Sequence, residues 1–301
     1  MLKNQKYGVE IEFTGITRYK AACIVAKVLD CRVGSADGSP YYTREMVDAQ
    51  GRKWKVMRDS SIMPHREGGS ASDEYRVEFV TPPLNYDDLE TLQKIVREFK
   101  KEGAVANSSC GIHIHVDGAN HNATSLRRMV KFFAARQNLV YEGLKIAPSR
   151  SNQWCRPIAT RLIDEMAKKK NISRSEMENI WYSEANDGYN HGIDHRHYNS
   201  TRYHGLNLHS FFSKGTVEFR LFNSTMHAGK IKAYVQFCLA VSAWAIESND
   251  TVNFRNLDGK DKEARADLWN RILRRRFGLV GDEFATCRRH MMAGFRAVTA
   301  A

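Results

Sequence analysis

The sequence predicts an α+β fold in which helices pack on one face of a largely antiparallel β-sheet. Two patterns indicate this fold. Short runs of alternating polar and apolar residues, typical of strands, recur between residues 6 and 116 and again after residue 200. Runs with apolar residues at helical spacing lie between them and then follow one another to the end of the chain.

The first elements follow from local signals. Ala21, Ile24, Val25 and Val28 have the spacing of a helix face, and Gly51 lies in the turn of a hairpin. The predicted elements are a strand at 6–13, a helix at 17–29, a hairpin at 41–58, a loop at 60–73 and a strand at 74–80.

The remaining elements are predicted in the same way. Asn85 caps a helix that ends at Gly103, and Ser173 with Glu176 forms a capping box for a short helix in the otherwise irregular segment 150–200. The other elements are a strand at 112–116, a helix at 124–145, hairpin strands at 203–212 and 216–222, and helices at 228–247, 262–277 and 282–296.

Composition excludes several classes of protein. Among 301 residues, 42% are hydrophobic and 27% are charged, as in a globular protein with a substantial core. The longest nearly apolar run, at 233–246, is shorter than the roughly 20 residues of a membrane span. The N-terminus has no signal-peptide pattern. We therefore expect a cytoplasmic protein without a membrane segment, whose six cysteines are reduced.

The net charge is +12, and basic residues crowd the last 35 residues. This cluster is explained by solvated helix faces. The alternative is a surface that binds an acidic protein or a nucleic acid. We predict two parts: a catalytic domain at 1–250, with segment 150–200 as a substrate lid, and a basic helical extension at 251–301. The candidate lid residues include Trp181, Tyr189 and His191.

Four strands carry unusual side chains at their polar positions. Side chains two residues apart share one face of a strand, so Glu10 pairs with Glu12, His113 with His115, and Glu218 with Arg220. Glu78 occupies a polar position of the same kind in the alternating run Arg76-Val77-Glu78-Phe79-Val80. A solvated sheet face is the alternative, but such a face usually carries Lys, Thr, Ser and Gln.

Four glutamates on adjacent strands would repel one another unless cations lay between them. Two divalent ions would cancel the four carboxylates, and Mg²⁺ commonly shares its oxygen ligands with substrate phosphates. A nucleotide-triphosphate site would be completed by an imidazole and by two arginines that bind phosphate, Arg220 and Arg202. Alternation alone does not show that these strands are neighbours.

The sequence resembles the amidoligase family at these same residues. The resemblance lies in Gly8-Val-Glu-Ile-Glu-Phe13, Val77-Glu-Phe-Val-Thr-Pro-Pro83, Cys110-Gly-Ile-His-Ile-His-Val116 and the run from Tyr203 to Asn223. That family is similar in fold to glutamine synthetase and glutamate–cysteine ligase. The resemblance implies a curved antiparallel sheet with a funnel-like site, and an ATP-dependent carboxylate–amine ligase that joins amino acids, peptides or proteins.

The resemblance also implies roles for individual residues. Glu10, Glu12, Glu78 and Glu218 are expected to hold Mg²⁺, with Mn²⁺ as a substitute. His113 is expected near a metal and the ATP phosphates, and His115 near the substrate. Arg220 is expected to bind the transferred phosphoryl group.

Other residues carry two interpretations each. Arg202 and Asn207 are phosphate or substrate contacts, or else a strand-end charge and a hairpin amide. Asp59 lines the site or only forms a turn. Cys110 is a buried thiol rather than a nucleophile. The general base is His115 or one of the glutamates.

Two rival functions fit part of the pattern. Glu, His and Asp on strands also suit a metal-dependent hydrolase or nuclease, which the basic tail would favour. A catalytically silent binding protein on the same fold is the other rival.

Overall fold

The computed structural model describes residues 1–185, 192–249 and 261–296. The predicted α+β fold is confirmed, with an antiparallel sheet and about ten helices. The strands in this part of the chain are β1 (Tyr7–Phe13), β2 (Arg44–Val47), β3 (Lys53–Met57), β4 (Val77–Val80), β5 (Gly111–Asp117), β6 (Leu206–Asn207) and β7 (Thr216–Asn223).

The α-helices of the described residues lie between and after these strands. They are α1 (Arg18–Leu29), α2 (Leu89–Lys101), α3 (Ala123–Leu144), α4 (Pro148–Gln153), α5 (Thr160–Ala167), α6 (Arg174–Glu184), α7 (His209–Lys214), α8 (Ala228–Glu247), α9 (Lys262–Arg271) and α10 (Ala285–Met291). Across the described residues, no helix is both long and apolar enough to cross a bilayer.

The strands form a sheet with the order β2-β3-β4-β1-β5-β7-β6. Backbone hydrogen bonds at both ends of β5 show that it runs antiparallel to β7. The N–H of Gly118 donates to Gly215, and the N–H of Ser224 donates to Cys110. The chain divides into two compact units, which we call the N-terminal unit (Lys3–His115 and Phe222–Val235) and the C-terminal unit (Met1–Leu2, Val116–Leu221 and Gln236–Ala301).

The core of the N-terminal unit covers one face of β1, β3 and β4. Phe13, Phe79 and Phe99 are fully buried. The ring of Phe99 lies tilted against Phe13 and edge-on to Phe79, with centroids 4.9 and 5.3 Å apart. Trp54 extends this cluster from β3. Because strand side chains alternate, burying Phe13 on this face places Glu10 and Glu12 on the opposite face.

The core of the C-terminal unit covers the apolar face of β7. Phe219 packs against Phe133 of α3, and the neighbouring Phe132 lies edge-on to Trp244 and Phe277. Burying Phe219 on this side directs Glu218 and Arg220 to the other side of β7 by the same alternation.

One predicted strand is wrong. We expected a hairpin with strands at 203–212 and 216–222, but β6 is only two residues long and α7 follows it. The side-chain Oδ1 of Asn207 accepts the backbone N–H of His209, the first residue of this helix, and Gly215 ends it with a φ of +79°. Local hydrogen bonding by an Asn side chain thus overrides the strand pattern.

The segment 150–200 is more helical than expected, because α4, α5 and α6 occupy much of it. The capping box at Ser173 is confirmed at the start of α6. Trp181 is fully buried in α6, whereas Tyr189 and His191 lie outside the described residues. The predicted domain boundary at residue 250 also lies outside them and stays a prediction.

The C-terminal helices differ slightly from the prediction. A π-helical turn (Ile272–Arg276) continues α9, and a short 3-10 turn (Asp282–Phe284) precedes α10. Some of the clustered arginines are structural: Arg276 stacks on Trp244, and Arg288 donates to the backbone carbonyls of Leu279 and Gly281.

Candidate active site

Glu10 lies between two histidines of the neighbouring strand. Its Oε2 is 2.9 Å from Nδ1 of His113, and its Oε1 is 3.2 Å from Nε2 of His115. A carboxylate only accepts, so Nδ1 of His113 donates to Glu10. Burial raises the pKa of Glu10, but His115 and His113 outweigh it and hold the pKa well below its usual value. Glu10 is therefore ionised at neutral pH.

Glu12 and Glu78 are directly opposite each other in the β1–β4 ladder. Both are buried, with exposed fractions of 5% and 9%. Glu12 accepts the backbone N–H of Gly111 at 2.5 Å through Oε2, and its backbone carbonyl accepts the hydroxyl of Ser224. Like charges opposite each other destabilise a sheet, and burial strengthens their repulsion. This pair favours a cation between the two strands.

The donor atoms of the N-terminal unit meet the requirements of a cation site. Glu10, Glu78 and His113 each offer one ligand atom, and these atoms lie within 4.8 Å of one another. Glu12, Asp59 and Glu78 form a second such group with the same spacing. Carboxylate oxygens suit Mg²⁺ and Mn²⁺, and Glu78 belongs to both groups. The residues present fit two neighbouring divalent ions.

Asp59 satisfies both interpretations of its sequence position. Its Oδ1 accepts the backbone N–H of Ser61 at 2.7 Å, which is the predicted turn, and its carboxylate also belongs to the second donor group. Arg76 secures this segment by donating to the carbonyls of Ser60 and Ile62. The only sequence signal was an Asp between a strand and a glycine-rich loop.

Glu218 and Arg220 form a buried ion pair on β7. Nη1 of Arg220 is 2.6 Å from Oε1 of Glu218, and Nδ2 of Asn207 donates to Oε2 of Glu218 at 2.7 Å. Arg150 donates to the backbone carbonyl of Arg220 and so supports the strand from behind. Each oxygen of Glu218 thus accepts a bond from a defined donor.

Arg202 is held against aromatic rings. Its guanidinium carbon is 5.7 Å from the ring centroids of both Tyr198 and Tyr203, and Nη1 donates to the carbonyl of His197. Arg220 lies 5.9 Å from the ring of Tyr203.

The structure distributes the predicted site residues over the two units. The N-terminal unit brings together Glu10, Glu12, Glu78, His113 and His115, and adds Asp59. Arg202, Asn207, Glu218 and Arg220 belong to the C-terminal unit.

Cys110 and two histidines of the segment 150–200 also have defined surroundings. Cys110 is buried, and its thiol donates to Oδ1 of Asn107. His195 is exposed and lies 2.6 Å from a carboxylate oxygen of Glu178. Among the residues that the structure describes, no group with metal-binding spacing includes His195 or His197.

Comparison with known proteins assigns most of the chain to one family. Residues 3–242 match the model of one protein family, described as "putative amidoligase enzyme". A search of curated proteins finds no match. The matched range includes every candidate metal and phosphate residue named above and covers most of the chain. The chain therefore belongs to the amidoligase family, a family of ligase-type enzymes.

Proposed function

We propose that the protein is an ATP- and Mg²⁺-dependent carboxylate–amine ligase that forms an amide or peptide bond through an acyl phosphate. The observation that carries the proposal is the buried pair Glu12 and Glu78, opposed across two strands with Asp59 beside it. Such a concentration of buried carboxylates is costly without cations. Family membership supplies the reaction class.

The proposed metal ligands are Glu10, Glu12, Asp59, Glu78 and His113. His113 suits this role because a metal-binding histidine commonly donates its other ring N–H to a carboxylate, as it does here to Glu10. We assign Glu218 to the same function on the basis of the resemblance. When bound, the ions neutralise phosphate charge and help to orient the reacting groups.

The first chemical step is the transfer of a phosphoryl group. An oxygen of the substrate carboxylate attacks the γ-phosphorus of ATP, a new P–O bond forms, the bond to the β-phosphate oxygen breaks, and ADP leaves. Arg220 is proposed to stabilise the charge on the transferred group, with His113 and Arg202 as further phosphate or substrate contacts.

The second step forms the amide. The amine nitrogen attacks the acyl carbon, the C–N bond forms, and the bond to the phosphate oxygen breaks. The incoming ammonium must first lose a proton. We assign this proton to His115, whose Nε2 lies 3.2 Å from Oε1 of Glu10.

The substrates carry a carboxylate and an amine, and an amino acid, a peptide or a protein fits equally. Exposed arginines at the C-terminus offer a docking surface for an acidic substrate; they are Arg271, Arg274, Arg275, Arg289 and Arg296. We propose a cytoplasmic location on the basis of the sequence.

The deciding experiment measures ADP and phosphate release by the purified chain with ATP and Mg²⁺, in the presence of a panel of carboxylates and amines. A ligase releases ADP in excess of background only when both substrates are supplied. Cleavage of an added nucleic acid in the absence of the carboxylates and amines would instead support the rival function, a metal-dependent nuclease. Release that needs no amine would contradict the ligase proposal.

A further inference from the structure

The residue opposite Glu218 on the neighbouring strand is an amide, Asn207. The residue opposite Glu12 is a carboxylate, Glu78. Asn207 is directly opposite Glu218 in the β6–β7 ladder, and its Nδ2 donates to Glu218 at 2.7 Å. With an exposed fraction of 1%, Asn207 is deeper than either partner of the Glu12–Glu78 pair.

The orientation of this amide is determined by its second bond. Oδ1 of Asn207 accepts the backbone N–H of His209 at 2.9 Å, so the nitrogen end of the side chain points to Glu218. His209 is itself held by the hydroxyl of Tyr182, 2.8 Å from its Nδ1. The start of α7 and the carboxylate of Glu218 are therefore linked through one buried side chain.

The two oxygens of Glu218 have different donors. Oε1 accepts from Arg220 and Oε2 from Asn207, so rotation of the carboxylate would break both bonds. A side chain as buried as Asn207, with both ends of its amide engaged by the protein, does not suit the phosphate contact expected from the sequence.

We propose that Asn207 is a positioning residue that orients the carboxylate of Glu218 for binding a divalent cation. This inference rests on the proposed function, because it takes Glu218 as a metal ligand. Residues that hydrogen-bond metal ligands typically change metal affinity about 10- to 100-fold when they are replaced.

The substitution Asn207→Ser separates the two bonds of Asn207. A Ser hydroxyl still accepts the N–H two residues ahead, but it is too short to reach Glu218. We expect the thermal midpoint without metal to fall, because Oε2 of the buried Glu218 loses its donor, and the dissociation constant for Mn²⁺ to rise about tenfold. Mn²⁺ serves as the probe because electron paramagnetic resonance measures the free ion directly and gives the bound ion by difference.

The matched control is Asn122→Ser. Asn122 caps α3 by accepting the N–H of Ser125 at 2.9 Å, and Ser is an equally good cap, so this variant should leave the Mn²⁺ affinity unchanged. If Asn207→Ser does not fold, Asn207→Thr makes the same test, because Thr keeps the hydroxyl and suits a strand.

A double-mutant cycle with Glu218→Gln identifies the route of the effect. In the Glu218→Gln background, Asn207→Ser should cause no further loss of Mn²⁺ affinity. An equal loss in both backgrounds, or no loss in the single variant, would overturn the positioning role. An unchanged Mn²⁺ affinity in Glu218→Gln alone would instead refute the metal role of Glu218 and, with it, this inference.

Discussion

His113 donates from Nδ1 to Glu10 on the neighbouring strand, over 2.9 Å. This bond orients the imidazole and leaves its Nε2 directed toward the second carboxylate of β1, 3.7 Å from Oε1 of Glu12. The histidine thus faces both glutamates of the E-x-E motif. Removing a negative charge from Glu10 or Glu12 should therefore weaken metal binding more than it destabilises the fold.

Glu10→Gln tests the first donor group. Gln has the same size, so the fold should persist, but the lost charge should weaken Mn²⁺ binding at least tenfold and abolish ATP turnover. Isothermal titration with Mn²⁺ and circular dichroism measure the two effects. Glu90→Gln, an exposed change on α2, is the control. Near-normal turnover in Glu10→Gln would show that the metal assignment is wrong.

Asp59→Asn tests whether Asp59 acts through its charge or only through its turn. Asn can still accept the N–H of Ser61, so stability should change little while the Mn²⁺ affinity falls about tenfold. The same titration measures the affinity, with the exposed Asp87→Asn as control. A variant that binds Mn²⁺ as tightly as the unmodified protein would leave Asp59 with a turn role alone.

Arg220→Ala tests the phosphoryl-binding role. We expect kcat to fall roughly 100-fold or more, because a preorganised donor acts most strongly on charge in the transition state, whereas the dissociation constant for ATP should rise less than tenfold. Steady-state kinetics and nucleotide titration give these values, and the exposed Arg97→Ala is the control. Equal losses in binding and turnover would contradict the assigned role.

His121 makes the stability of the C-terminal unit depend on pH. Burial lowers the pKa of His121 to about 4, and its ring nitrogens lie 3.0 and 2.9 Å from the hydroxyls of Ser125 and Ser242. Below pH 6.5 the unfolded chain binds a proton at His121 that the folded chain does not bind. The free energy of unfolding therefore falls as the pH drops from about 6.5 toward 4.

Urea denaturation at pH 7 and pH 5 measures this effect. From the two pKa values, His121 alone should reduce the free energy of unfolding by about 2 kcal/mol between these pH values. His121→Gln cannot take up the proton, so its loss over the same interval should be smaller by that amount. Identical losses in the variant and the unmodified protein would exclude His121 as the cause.

Local pattern predicted much of the fold. Helix positions followed from caps and apolar spacing, as at Ser173, and strands from alternation, as at Val9 and Glu10. The segment after Asn207 was mispredicted, because a strand and a short buried helix look alike when most residues are apolar. The bond from Asn207 to His209, which decides the outcome, is invisible to periodicity.

The sequence alone predicted which side chains share a face of a strand, because alternation with a period of two is a property of each strand by itself. That is why Glu10 with Glu12, and His113 with His115, could be named as candidates. The partner of each carboxylate was not readable, because it depends on strand order and register set by packing across the whole sheet. Only the folded chain opposes Glu12 to Glu78, adds Asp59 from a loop, and turns the amide of Asn207 onto Glu218.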